Sequence, residues 1–248
     1  MKALICIDDT DNHNTVGTGE LALEFSKKIV KNCWGSTDAI SRHQLFVHPD
    51  IPYTSHNSSM CFGVELIDGC LEKIIDYGQK FLLKKSAAGS DPGLCVAVVD
   101  RIKNPQQLID YGKKAKETVL TKQEAYTTAK EIGIHLSEHG GTGGGVIGAL
   151  AGIGLRLSGN DGRFKGKYFV GREAEVLTVQ EIISQTNIQE VREQNGKPLE
   201  GSDEVEIGKK VKSVLLDGKI ILLVEPEYDT HGNKTSWLTL HREKIQKY

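Results

Sequence analysis

Three observations predict an α/β protein. Short apolar runs alternate with segments of helical spacing over residues 1–165, three carboxylates crowd the end of the first apolar run, and beyond residue 165 the pattern changes to closely spaced short strands. The expected organisation is a layered α/β domain over 1–165 and a smaller C-terminal β-rich domain, of barrel or sandwich type, over 166–248.

The first run, Ala3 to Ile7, has the length and apolarity of a buried strand and leads into Asp8-Asp9-Thr10-Asp11. Gly17-Thr18-Gly19 places a hydroxyl between two flexible residues, and a helix is expected from near Glu20, with Leu21, Phe25 and Ile29 at intervals of four. Trp34 to Asp38 reads as a loop and Ser41 to Val47 as a strand. In the polar stretch His48-Pro49-Asp50-Ile51-Pro52-Tyr53-Thr54-Ser55-His56-Asn57 two prolines hold the backbone extended, which suits a rigid connection or a substrate contact. His43, His48 and His56 match no zinc-ligand spacing and are expected to be exposed or hydrogen-bonded.

Met60 to Leu66 alternates as a strand, and Leu71 to Leu83 has helical spacing. Asp91-Pro92-Gly93 makes a turn into Leu94 to Val99, a run fit for a central strand. Helices are expected over 105–117 and 121–132, the first capped by Asn104 with Pro105 at its first position. After His135-Leu136-Ser137-Glu138-His139 comes Gly140-Gly141-Thr142-Gly143-Gly144-Gly145, and the apolar, small-residue segment to Leu155 predicts a tightly packed buried helix. Ser158 to Phe164 is a loop carrying Asp161 and Arg163. Beyond it, strands are expected at Tyr168–Val170, Glu175–Thr178, Asp203–Ile207, Val211–Leu216, Lys219–Val224 and Ser236–Leu240, with a tight hairpin at Asp217-Gly218 and a helix within Val179–Val191. Lys209, Lys210 and Lys212 read as a solvated strand edge.

A chain of 248 residues can bury a sizeable core, and a net charge of -2 with a pI near 6.5 provides no global basic field for non-specific nucleic-acid binding. The five cysteines are scattered and contain no C-x-x-C pair, so neither a zinc ribbon nor a disulfide framework is indicated. With no signal-peptide pattern and no apolar run of membrane-span length, a cytoplasmic protein without membrane association is expected.

The chemistry concentrates in two stretches. Asp8, Asp9 and Asp11 repel one another at neutral pH, so the cluster either raises some of their pKa values or recruits a cation, and hard oxygen ligands suit Mg²⁺. An acidic turn capping the following helix is the plainer alternative. The glycine stretch Gly140, Gly141, Thr142, Gly143, Gly144 and Gly145 exposes backbone N–H groups ahead of a helix, where a phosphate could sit. It is not a Walker loop, because no Gly-Lys-[Ser/Thr] closes it. Metal and anion-binding backbone are two halves of a nucleotide site, which is the expected reading.

These motifs resemble the archaeal tRNA 2-agmatinylcytidine synthetases, enzymes that modify an isoleucine tRNA, and in particular their N-terminal kinase-like domain. Ile7-Asp8-Asp9-Thr10-Asp11 is similar to the family's opening motif, and Thr18 falls where the family has a threonine that becomes phosphorylated. His48-Pro49-Asp50-Ile51-Pro52 resembles its Asn-Pro-x-Ile-Pro loop, Asn57 the asparagine beyond it, Gly145 to Ala151 its glycine-rich helix start, and Asp161 the aspartate after that helix. The matches span about residues 1–165. Ser55-His56 stands for the family's Arg-Gly, Gly19 for the second threonine of its Thr-Thr pair, and residues 166–248 do not look like its tRNA-holding domains.

The resemblance implies an ATP- and Mg²⁺-dependent ligase or kinase-like phosphotransferase that activates an acceptor, tRNA or a small molecule, for attack by agmatine or another amine. It implies Asp8, Asp9 and Asp11 as metal-holding catalytic residues, Thr18 as a phosphoacceptor or a lining of the transfer path, and Asn57 and Asp161 in supporting roles. Two other readings compete: a nucleotide-sensing or RNA-binding module without catalysis, and a phosphohydrolase using an Asp nucleophile in Asp9-Thr10-Asp11.

Overall fold

The computed structural model describes residues 1–52, 56–165, 172–209, 211–245 and 248. Tyr53, Thr54, Ser55, Lys210 and the strand expected at Tyr168–Val170 lie outside the described residues. The chain divides into two compact units, Met1–Ser158 and Gly159–Tyr248.

In the first unit the elements run β1 (Lys2–Asp8), α1 (Thr18–Lys31), β2 (Gly35–Thr37), β3 (Ser41–Gln44), β4 (Ser58–Leu66), α2 (Leu71–Lys85), β5 (Gly93–Val98), α3 (Pro105–Lys114), α4 (Lys122–Ile132), β6 (His135–Glu138) and α5 (Gly145–Ser158). Strand order is β6-β5-β1-β4-β3, with β2 also on β4, and each of these pairings is antiparallel. The predicted mixture of helices and strands is found, with β1 between β4 and β5.

The two-residue alternation of a strand explains the layers. Leu4 and Cys6 of β1 join a core with Leu108 and Tyr111 of α3, Ala125 and Ala129 of α4 and the buried side of α5. Ala3, Ile5 and Ile7 point the other way and join Leu21, Phe25 and Ile29 of α1 with Ile74, Phe81 and Leu82 of α2. Helices thus cover both faces, and β1 is apolar at every position from Ala3 to Ile7 because neither face meets water.

Several boundaries differ from the sequence reading, each for a local reason. Trp34 to Asp38 is not all loop: Gly35–Thr37 pairs with β4, with Thr37 opposite Val64, but three small polar residues carry no apolar alternation. The strand expected over Ser41–Val47 ends at Gln44, where the next N–H groups turn elsewhere, Leu45 to the Asn57 carbonyl and Phe46 to the Ala115 carbonyl. β6 was hidden because its sequence, His-Leu-Ser-Glu, is that of a polar edge. The first helix begins at Thr18 rather than near Glu20, which puts the Thr18 hydroxyl inside the first turn.

In the second unit the order is β7 (Arg163–Phe164), β8 (Val176–Thr178), α6 (Val179–Gln185), β9 (Glu190–Glu193), β10 (Glu204–Glu206), β11 (Ser213–Leu216), β12 (Lys219–Tyr228), β13 (Lys234–Thr239) and α7 (Arg242–Ile245). They pair as β7-β11-β12-β13-β10-β8, with β9 parallel to β12. Asp217 and Gly218 both have positive φ, 50° and 72°, the conformation that a two-residue hairpin with right-handed strand twist demands. Thr178 and Glu181 form a capping box at the start of α6. The helix covers only Val179–Gln185 of the expected span, and the remainder supplies β9. Val179, Ile182, Val205, Leu222 and Trp237 form the larger core here.

Phe25 is wholly buried and lies 5.9 Å from Phe62, 5.6 Å from Phe81 and 5.7 Å from Tyr77 between ring centroids. Replacing it by alanine empties the centre of that aromatic cluster, so Phe25→Ala is expected to cost about 3–5 kcal/mol. Urea unfolding followed by circular dichroism should show a lower midpoint with an unchanged slope.

Candidate active site

The site begins where β1 ends. Asp8, its last residue, is 8% exposed, with its side chain against Gly148 in the first turns of α5. A Cβ at Gly148 would fall inside the Asp8 carboxylate, so glycine there is a steric requirement. Asp9 follows with φ of 49°, a left-handed conformation that aspartate tolerates better than most side chains, and the chain turns sharply out of the sheet.

This turn brings Thr10 and Asp11 to the start of α1. The Thr18 Oγ1 hydroxyl donates to Asp11 Oδ1 at 2.9 Å and accepts from Thr10 Oγ1 at 3.0 Å and from the Thr10 N–H at 3.4 Å. Gly17 caps the helix without a side chain, and a Cβ there would only touch Asp11 Oδ2, at 3.7 Å.

The opposite wall comes from far along the sequence. β5 runs antiparallel to β1 with Gly93 opposite Asp8, so Asp91, just before β5, arrives beside the end of β1. Asp91 is 8% exposed and accepts from the Thr142 N–H at 2.6 Å and the Thr142 hydroxyl at 2.5 Å, while its carbonyl accepts from the Gly145 N–H at 3.0 Å. Gly141 has φ of 54°, and any Cβ there would overlap the Asp91 carboxylate. Lys122 Nζ bridges Glu138 Oε2 at 2.8 Å and the Thr142 carbonyl at 2.9 Å, holding the outer side of the same loop.

A cavity of about 320 Å³ opens between these walls, within the first unit. It brings together Asp8, Asp9, Asp11, Thr18, Asn57, Thr142, Gly144 and Gly145 of the sequence-derived set. Gly140, Gly141 and Gly143 belong to the loop but do not line the cavity. They shape the loop: the Gly143 N–H closes a turn on the Gly140 carbonyl, while the Gly144 N–H has no acceptor among the described residues. Asn57 lines the cavity, but its side-chain amide donates to the Phe46 carbonyl at 2.6 Å and its own carbonyl accepts from Leu45 and Gln44, which closes the proline-containing loop. Asp161 lies in the second unit, in the loop before β7.

Sequence reasoning missed Asp91, Arg42 and the α3–α4 connection, which adds Ala115, Val119 and Leu120 to the lining. Asp91 had a legible signal, an acid one turn ahead of an apolar strand. Arg42, whose Nε donates to Ser58 Oγ at 3.0 Å, sits in a β3 sequence of no distinctive pattern.

The electrostatics are those of crowded, partly dehydrated acids. Burial raises the Asp8 carboxyl well above the usual carboxylate range, with Asp9 and Asp11 adding to the shift. Burial, then the neighbouring charges of Asp91 and Asp11, push Asp9 up to about 6. The charges that raise both groups are all carboxylates, so a divalent cation with hard-oxygen preference fits the donor set. Among the described residues no three His, Cys, Asp or Glu side chains form a ready-made metal cage. Mg²⁺ in general takes one or two protein carboxylates and completes its shell with phosphate oxygens and water.

No family model matches the chain, and no curated protein matches it. Solved structures do. A tRNA fluorescent labeling enzyme aligns with a TM-score of 0.54 and 26% identity, covering 62% of this chain and 36% of that one. The complex of TiaS with tRNAIle2 and ATP aligns with a TM-score of 0.54 and 25% identity over the same shares. Apo TiaS, the tRNAIle2 agmatidine synthetase, aligns at 0.53 and 24%, covering 62% of this chain and 35% of its own. The chain spans about a third of the length of these proteins.

Asp9 provides a test of the site's electrostatics. A carboxyl whose pKa is raised on folding binds its proton more tightly in the native state, so its contribution to stability is full below about 4 and is lost as pH rises through about 6. In EDTA, the melting temperature of the first unit's transition should therefore fall between pH 4 and pH 7, and Asp9→Asn should flatten that fall. A wild-type profile identical to that of the variant would contradict the assignment. Over 62% of its length the chain has a fold similar to that of TiaS, the tRNAIle2 agmatidine synthetase.

Proposed function

We propose that this chain is an ATP-dependent, tRNA-modifying type of enzyme that activates an acceptor by phosphoryl transfer for attack by an amine. The observation that carries this reading is the convergence, in one cavity, of Asp8, Asp9, Asp11 and Asp91 with the Thr18 hydroxyl and the start of α5. The solved complex of a similar protein with tRNAIle2 and ATP supports it.

In this reading Asp8 and Asp9 hold Mg²⁺, which when bound would neutralise phosphate charge and compensate the buried acids. Gly144 and the start of α5 line the same cavity, where the positive end of the α5 dipole would favour the phosphates. Asp11 already accepts the Thr18 proton in a 2.9 Å hydrogen bond, which makes it the general base for a hydroxyl that is a poor nucleophile unaided. Thr18 receives the phosphoryl group or lines its path. The acceptor is tRNA or a small molecule, and agmatine is the first amine to try.

Purified protein incubated with γ-labelled ATP, Mg²⁺, tRNA and agmatine should release ADP or retain label. Asp9→Ala should reduce this turnover by at least about 100-fold, the scale of losing metal-assisted charge stabilisation. Thr18→Ala should abolish any protein-bound label. Saturable ATP binding with no turnover under all these conditions would replace this reading with a nucleotide sensor.

A further inference from the structure

Thr10 stands between the two acids of the Asp9-Thr10-Asp11 turn and is 1% exposed. Its backbone is engaged on the outer side, where its carbonyl accepts from the Ala87 N–H at 2.9 Å. Its hydroxyl donates to another hydroxyl, that of Thr18, which is itself only 7% exposed. A threonine hydroxyl has one proton to give and two lone pairs to offer. At Thr18 the proton goes to Asp11, one lone pair takes the Thr10 hydroxyl at 3.0 Å, and the Thr10 N–H approaches at 3.4 Å.

This arrangement removes a choice. A free serine or threonine hydroxyl in the first turn of a helix rotates among acceptors, and only one of its rotamers presents the proton to a given base. With Thr10 donating to it, the Thr18 oxygen keeps its own proton directed at Asp11. As Asp11 takes the proton, the Thr18 lone pair left to attack is the one met only by the long 3.4 Å contact from the Thr10 N–H.

We infer that Thr10 is a positioning residue that aims the Thr18 hydroxyl at Asp11 and thereby prepares the Thr18 oxygen for attack. The inference rests on the phosphoacceptor reading of Thr18 given above. In the step it serves, a bond forms between Thr18 Oγ1 and the γ-phosphorus of ATP, and the bond from that phosphorus to the β,γ-bridging oxygen breaks. ADP leaves with the electron pair, and the Thr18 proton passes to the Asp11 carboxylate. Thr10 neither gains nor loses a proton, because its contribution is geometric.

The test compares wild type, Thr10→Val, Thr10→Ser and Thr18→Ala. Transfer of label from γ-labelled ATP to the protein is timed at saturating Mg·ATP, and ATP affinity is measured separately by equilibrium binding. Thr10→Val keeps the branched shape and removes the hydroxyl, so the transfer rate should fall about 10- to 100-fold, the range for one general-base or donor contact, with ATP affinity within about twofold of wild type. Thr10→Ser restores the donor and should return the rate to within about threefold of wild type, which a packing defect would not do. Label transfer at the wild-type rate in Thr10→Val, or equal slowing in Thr10→Ser, overturns the inference while leaving the phosphoacceptor reading intact. Absence of Thr18-dependent label in wild type overturns both.

Discussion

The burial of the Asp8 carboxylate against Gly148 is the constraint on which the pocket depends. An acid placed in an apolar interior and flanked by Asp9 and Asp11 is unfavourable on its own, as its raised proton affinity shows. The fold tolerates it because β1 is anchored by apolar cores on both faces, so the end of the strand has no freedom to withdraw. Gly148, and the close approach of Gly145 to Gly93 and to the Asp91 carbonyl, then bring the start of α5 down onto the carboxylates. Strain and charge repulsion are concentrated at one end of the sheet, and the remainder of the unit supplies the stability that offsets them.

How much of this was legible in the sequence divides by range. The near half of the site lies within Asp8 to Thr18, so a strand pattern ending in acids and a Gly-Thr-Gly at a helix start were enough to mark it. The far half depends on which strand lies beside β1, and an apolar run such as Leu94 to Val99 is compatible with either neighbour and either direction. Only the pairing of Asp8 with Gly93 turns Asp91 from a turn former into a wall of the cavity. The same limit applies to Thr142, which reads as one polar residue in a glycine run until its N–H and hydroxyl are seen to clamp both Asp91 oxygens.

The elements that escaped the sequence reading have a shared physical cause. β2, β6 and β9 are short and polar, pair on sheet margins or bury little, and so lack the apolar period on which recognition rests. Strong local chemistry was legible even in such surroundings: Asn104 does cap α3 through the Gln107 N–H, and Asp217-Gly218 does form the hairpin between β11 and β12. Arg42, a charged residue on the short strand β3, leaves no periodic trace at all.

The charge balance of the cavity bears on what form of nucleotide it accepts. Among the described residues, Asp8, Asp9, Asp11, Asp50 and Asp91 line it against the single guanidinium of Arg42. Carboxylates at such density repel a free nucleotide triphosphate, and the partly dehydrated walls weaken that repulsion less than bulk water would. On the proposed reading, a metal complex would reverse the sign at the point of contact, with the cation held by Asp8 and Asp9 and the phosphates at the α5 terminus. The same field attracts a cationic amine. The lining combines these acids with the apolar side chains of Leu45, Val119 and Leu120, so the cavity offers both charge and a surface for a flat or apolar group. On the proposed reading, the order of binding follows: metal and nucleotide first lower the negative charge, and only then does an electron-rich acceptor approach Thr18 without repulsion.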